Sequence, residues 1–173
     1  MGLDSYIFNT TKKDELAKMR EIKQTQIEGR SKAITIGEMM IFFDGDANYM
    51  DKLDYEVFWR KSGYVTAWIL TKVFNNNVES IEKAIGVVTK DDLRKLRNDC
   101  RAVIEHCTKN DGTIVINEEY CEKMFPPLKI AFSGCTGYDE YFIYELKKAS
   151  EDIARLFLTC NEPDTSFISF ADF

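Results

Sequence analysis

The sequence predicts an α+β fold, a small sheet packed against about four helices, and two observations carry that expectation. Short runs rich in β-branched and aromatic residues alternate with longer stretches whose apolar residues recur every three or four positions. Turn signals such as Asp44-Gly45-Asp46, Asn75-Asn76-Asn77, Asp111-Gly112 and Pro126-Pro127 separate these runs. At 173 residues, with 45% hydrophobic and 13% aromatic content, the chain has the length of a single domain, residues 1–173, and enough apolar surface for an ordered core.

Leu3, Tyr6, Ile7 and Phe8 make residues 2–8 the first strand. Thr10 or Thr11 caps a helix over 12–28, peripheral because its apolar positions (Leu16, Met19, Ile22, Ile27) are sparse, and Gly29 ends it. The β-branched start of 34–43 reads as a strand. A second helix is expected over 54–74, where Val57, Phe58, Tyr64, Val65, Trp68, Ile69 and Val73 cover a wide stripe; Gly63 in its middle implies close packing or a kink. Residues 85–88 are a candidate strand. Thr89, with Asp92 three residues on, has the spacing of a capping box and opens a helix striped by Leu93, Leu96, Cys100, Val103, Ile104 and Cys107.

After the Asp111-Gly112 turn come a strand over 113–116 and a short helix over 118–125, stopped by Pro126-Pro127. Residues 128–132 form a further strand. The helix over 138–159 places Phe142, Leu146, Ala149, Ile153 and Leu156 on one face. The apolar tail, with Phe167, Ile168, Phe170 and Phe173, packs as a strand or docking segment.

No apolar run approaches the roughly 18 residues of a bilayer span, and no basic-then-apolar leader precedes the first strand, so no membrane partner is expected. Five cysteines, an odd number set largely in helical patterns, point to free thiols in a reducing cytoplasm. The net charge is −6, and its whole excess lies in residues 110–173, which hold 12 acidic and 5 basic groups. Such a balance disfavours direct nucleic-acid binding and could steer the protein towards a basic partner; a solvated surface that aids solubility is the more common reason for it.

Catalytic constellations are incomplete. His106, the only histidine, sits beside the apolar stripe of its helix with no nucleophile fixed near it by sequence. Cys100 and Cys107 share a helix face but have no second cluster, so they read as core thiols rather than zinc ligands. Asp44-x-Asp46-x-Asn48 opens like a calcium loop, then places Tyr49 where the sharp turn needs glycine and Tyr55 where the bidentate glutamate belongs. Ser133-Gly134-Cys135-Thr136-Gly137 lies between a strand and a helix, the context of a phosphate cradle, but lacks the P-loop lysine. Asp139 and Glu140 in the following turn complement the helix dipole without any ligand. Neither a cofactor nor a metal is expected. Trp59, Arg60 and Lys61 combine residue types favoured as interface anchors, and snorkelling over the rim of the core accounts for them equally.

Three blocks, Met1-Gly2-Leu3-Asp4-Ser5-Tyr6, Phe58-Trp59-Arg60-Lys61 with Trp68, and Gly137-Tyr138-Asp139-Glu140-Tyr141-Phe142, together resemble a family of small proteins encoded by bacteriophages and some bacteria. Its members open Met-Gly-Leu-Asp-x-Tyr, carry a Tyr-Trp-Arg-Lys-Ala-Asn helix and close with a Thr-Glu-Tyr-Asp-Glu-x-Tyr junction. The chain departs from that pattern at Ser62-Gly63, at Gly137, and over residues 24–50, which look like an insertion. The resemblance supplies no reaction. It implies a phage or mobile-element setting, in which small acidic proteins block host enzymes or defence complexes by binding them.

The sequence therefore predicts a protein-interaction module of the host-cell cytoplasm, an inhibitor or anti-defence protein. Trp59, Arg60, Lys61, Tyr138, Asp139, Glu140 and Tyr141 are its partner-binding residues, and the partner is a host protein with a basic surface. A small enzyme or nucleotide- or anion-binding protein with its site at residues 133–140 is the alternative, and a homo-oligomerising module a third reading.

Overall fold

A computed structural model of the chain describes residues 4–9, 55–74, 84–127, 137–160 and 165–172. The helix expected over 12–28, the strands over 34–43 and 128–132, the Asp44-Gly45-Asp46 turn and the insertion over 24–50 fall outside those residues. The fold is α+β. Four strands, β1 (Asp4–Asn9), β2 (Tyr55–Trp59), β3 (Ala84–Thr89) and β4 (Ser166–Asp172), form one antiparallel sheet in the order β2-β1-β4-β3. The apolar tail is thus a central strand, pairing with β1 on one side and β3 on the other.

Four helices are described: α1 (Gly63–Trp68), α2 (Lys90–Cys107), α3 (Glu118–Met124) and α4 (Glu140–Thr159). The strand expected over 113–116 is reduced to a single bridge, Thr108 with Ile114. The stretch 54–74 is not one helix. It is β2, a turn at Arg60 and Lys61, then α1 continuing into a π-helical turn over Ile69–Val73.

Strand register sets one face of the sheet inward. Ser5 lies opposite Trp59, Ile7 opposite Val57 and Ser169, Gly86 opposite Ser169, and Val88 opposite Phe167, and all of these are buried. On the other face the Tyr6 ring stacks on Phe58 at 4.9 Å. α1 occupies the centre of the molecule, with all six residues buried. The Ser5 and Thr66 hydroxyls bond it to β1, the Trp68 indole donates to Asp99 of α2 at 2.9 Å, and Glu145 of α4 accepts from the Val65 N–H at 2.9 Å. So short a helix has little stability alone, and this enclosure supplies it. The π turn closes with Phe74 N–H on the Ile69 carbonyl and lays the Phe74 ring on β3. A Cβ on Gly86 would stand 2.0 Å from that ring, which explains the glycine.

α2 and α4 pair over the core through Leu93, Leu96, Cys100 and Val103 on one side and Ile143, Leu146, Ala149 and Ile153 on the other. The capping box of α2 is in place: the Thr89 hydroxyl accepts from Asp92 N–H, and the Asp92 carboxylate accepts from Thr89 N–H.

Candidate functional site

The segment 57–64 lies against the start of α4. Val57 and Trp59 alternate inward on β2, and Trp59, expected as a surface anchor, is only 2% exposed; its indole donates to Asp152 of α4 at 3.1 Å. The next two residues reverse the chain. Lys61 adopts φ 54°, a left-handed conformation costing a non-glycine residue roughly 1 kcal/mol, and Arg60 and Lys61 are carried to the surface. Ser62 then turns its hydroxyl back to the Trp59 carbonyl, so its side chain does not cap α1.

The second half of the site is the entry to α4. The Tyr64 hydroxyl donates to the Gly137 carbonyl, and its ring lies 5.5 Å from Tyr138 and 4.6 Å from Phe142. Tyr138 donates to the Phe125 carbonyl at 2.7 Å, and Asp139 accepts from the Phe142 N–H at 2.9 Å as the N-cap of α4. Tyr138 and Asp139, expected at a partner interface, thus have structural duties. Residues 133–136, the core of the proposed phosphate cradle, lie outside the described residues.

Between the halves sits Glu145, which the sequence reading passed over. It falls on the buried face of α4 with Phe142, Leu146 and Ala149, and its Oε1 meets the uncapped end of α1. Its Oε2 is buried without a protein partner. Burial pushes the carboxyl up to about 7, while the N–H groups of Val65 and Tyr64 pull the other way. A carboxylate from one helix thereby does for another what a local capping residue normally does.

Six residues from the two segments remain at the surface, Arg60, Lys61, Gly137, Asp139, Glu140 and Tyr141, with Tyr144 added one turn on. Tyr141 and Tyr144 are 50% and 60% exposed, and their rings are 6.2 Å apart. Partial burial and the Glu145 charge push the Tyr141 phenol up, and the Arg60 guanidinium opposes them, so Arg60 and Tyr141 share one surface across 81 positions of sequence. Beyond Tyr144 the same face of α4 carries Lys148, whose ammonium donates to the Phe58 carbonyl at 3.0 Å, and a groove of about 250 Å³ opens between β2 and α4, lined by Lys148, Asp152 and Arg155.

The remaining candidates give no catalytic arrangement among the described residues. His106 is exposed, stacked at 4.0 Å on Tyr120 and hydrogen-bonded to Asn117. Cys100 and Cys107 are core thiols, and no group of three or more His, Cys, Asp or Glu residues able to hold a metal occurs among the described residues. Nor, among them, is any helix long and apolar enough to cross a membrane. Compared with protein-family models, curated proteins and solved structures, the chain matches none.

Proposed function

We propose that the chain is a protein-interaction module that binds through the surface formed by Arg60, Lys61, Glu140, Tyr141 and Tyr144. The carrying observation is the exposed Tyr141–Tyr144 pair beside the Arg60 turn. Tyrosine and arginine are residue types that concentrate binding energy at protein interfaces: tyrosine offers large contact area with only two torsions to freeze, and arginine a planar fork of five donors. A tight helix, a buried capping carboxylate and an aromatic cluster hold the patch from below, so little ordering cost is left for binding.

The likeness of the three sequence blocks to phage-borne proteins supports a bacterial host protein as the partner and blockade of a host or defence component as the outcome. The charge expected of the partner changes with the geometry. Asp139 is engaged as a cap and Glu145 is buried, so the patch presents both signs, and a partner of mixed charge with an apolar slot fits it better than a uniformly basic one.

Affinity capture from bacterial lysate tests this with the wild type, Tyr141→Ala/Tyr144→Ala, and Leu158→Ser. Leu158 is 77% exposed on α4, about 25 Å further along the helix. The expected result is a specific protein lost by at least about tenfold, roughly 1.4 kcal/mol, in the tyrosine double variant and retained by Leu158→Ser. A captured set identical in all three overturns the proposal.

A further inference from the structure

We propose that Cys107 and Cys121 are a redox site, joining in a reversible disulfide that fastens α3 to the end of α2. Cys107 is the last residue of α2 and Cys121 lies in α3, and their sulfurs are 3.7 Å apart in a fully buried contact. Backbone bonds bring them there. The connection folds back on itself, with Val115 N–H on the Cys107 carbonyl at 2.8 Å and Lys109 N–H on Thr113 at 2.9 Å, and the Asn117 side chain caps α3 at the Tyr120 N–H. Forming a bond of roughly 2 Å closes the remaining gap between two sulfurs that already touch.

The same burial governs when the pair reacts. It pushes the Cys121 thiol up to about 12, with the neighbouring Cys107 adding to the effect, so seated Cys121 stays protonated and inert. α3 presents Glu118, Glu119, Glu122 and Lys123 to solvent and is held from beneath by Cys121 and Phe125. When α3 lifts, Cys121 gives up its proton, and its thiolate attacks a sulfur of a low-molecular-weight disulfide such as glutathione disulfide. That S–S bond breaks and one glutathione leaves as thiolate. Cys107, deprotonated in turn, attacks the Cys121 sulfur of the mixed disulfide and expels the second glutathione. Two electrons pass from the cysteine sulfurs to the oxidant, and its two thiolates take up the two protons. The second step is intramolecular, and reseating α3 returns the Cys121 sulfur to Cys107, so the mixed disulfide does not accumulate. The staple also reaches the candidate surface, because α3 leads to Phe125, whose carbonyl holds Tyr138 at the entry to α4.

Incubating the native chain with glutathione disulfide, blocking residual thiols with N-ethylmaleimide, and measuring intact mass with peptide mapping tests the proposal. The expected product has lost two hydrogens and two alkylatable thiols, links the peptides containing Cys107 and Cys121, unfolds at higher temperature, and reverts with dithiothreitol. Cys121→Ser abolishes all four changes; if that variant does not fold, Cys107→Ala is the equivalent control. Full alkylation of the treated wild type, a persistent glutathione adduct on either residue, or a bond joining other cysteines overturns it.

Discussion

Two sets of aromatic residues stand within a few positions of each other at the entry to α4, and they have opposite fates. Tyr138 and Phe142 turn inward with Tyr64, where their rings lie 4.6–5.5 Å apart and the two tyrosine hydroxyls donate to backbone carbonyls. Tyr141 and Tyr144 are at least half exposed, with their rings 6.2 Å apart. Residue type does not separate the sets; position does, because Phe142, Glu145 and Leu146 lie on the buried face of α4 and Tyr138 packs inward just before the helix begins, while Tyr141 flanks that face and Tyr144 lies beyond it, where both are exposed. The inner set builds a platform, and the outer set is what the platform displays. If that division is right, substitutions on the two sides should separate stability from binding.

The largest effect belongs to the inner set. Phe142 is fully buried and touches the Tyr64, Phe125 and Tyr138 rings. Phe142→Ala is expected to cost about 3–5 kcal/mol in chemical denaturation, the transfer and cavity terms acting together. A loss below about 1 kcal/mol would mean the cluster is not the platform described.

Glu145 comes next, and its sign is unusual for a carboxylate. Its carboxyl is raised in the folded protein from 4.5 to about 7, so the native state holds the proton more tightly than the unfolded chain does. The stability associated with this group is therefore full below about pH 4.5, falls as pH rises towards 7, and is lost above it, by roughly 3 kcal/mol in all at 1.36 kcal/mol per unit. Glu145→Gln keeps a carbonyl oxygen for the Val65 N–H and removes the titration. The wild-type stability minus that of the variant should fall with this size between pH 4.5 and 7.5. Parallel curves would show that the carboxyl is not buried as described.

Asp139 lies on the boundary between the sets, and its role can be read from one bond. Asp139→Ala removes the acceptor of the Phe142 N–H and should cost about 1 kcal/mol, as loss of an N-cap typically does. Asp139→Ser should recover most of it. A variant that binds its partner normally once stability is restored would confirm that this acid supports the surface rather than forming it.

Much of the framework was legible because it is local. The capping box at Thr89 and Asp92, the stripes of α2 and α4, and the strand characters of β1, β3 and β4 follow from spacing and composition. The strand–turn–helix at 55–68 was not. Its apolar residues fit a helical period across the break, and the turn carries neither glycine nor proline: Lys61 takes the left-handed conformation that a glycine would have announced, while Gly63 lies inside α1. Trp59 consequently read as a surface anchor when strand alternation buries it. Glu145 did leave a signal, a carboxylate in phase with Phe142, Leu146 and Ala149, but its partner Val65 lies 80 positions away. The meeting of Arg60 with Tyr141 is likewise a product of tertiary packing, which no local pattern encodes.

The smallest effect on stability is the sharpest test of the division. Tyr141 and Tyr144 are at least half exposed, and their mutual contact is of a kind that contributes a few tenths of a kcal/mol on a helix surface. Tyr141→Ala/Tyr144→Ala should leave unfolding within about 0.5 kcal/mol of wild type, since alanine also favours the helix more than tyrosine does. The same variant should retain most of the rise of the Glu145 carboxyl, which comes from its burial against α1, with the Val65 and Tyr64 N–H groups opposing it as before. A loss of 2 kcal/mol or more would place the outer tyrosines in the platform, since surface substitutions away from buried features rarely cost that much. The distinction between supporting and displayed residues would then fail. An unchanged midpoint together with an unchanged pH profile would leave the pair as aromatic surface that the fold maintains without needing it, which is the condition expected of residues kept for a partner.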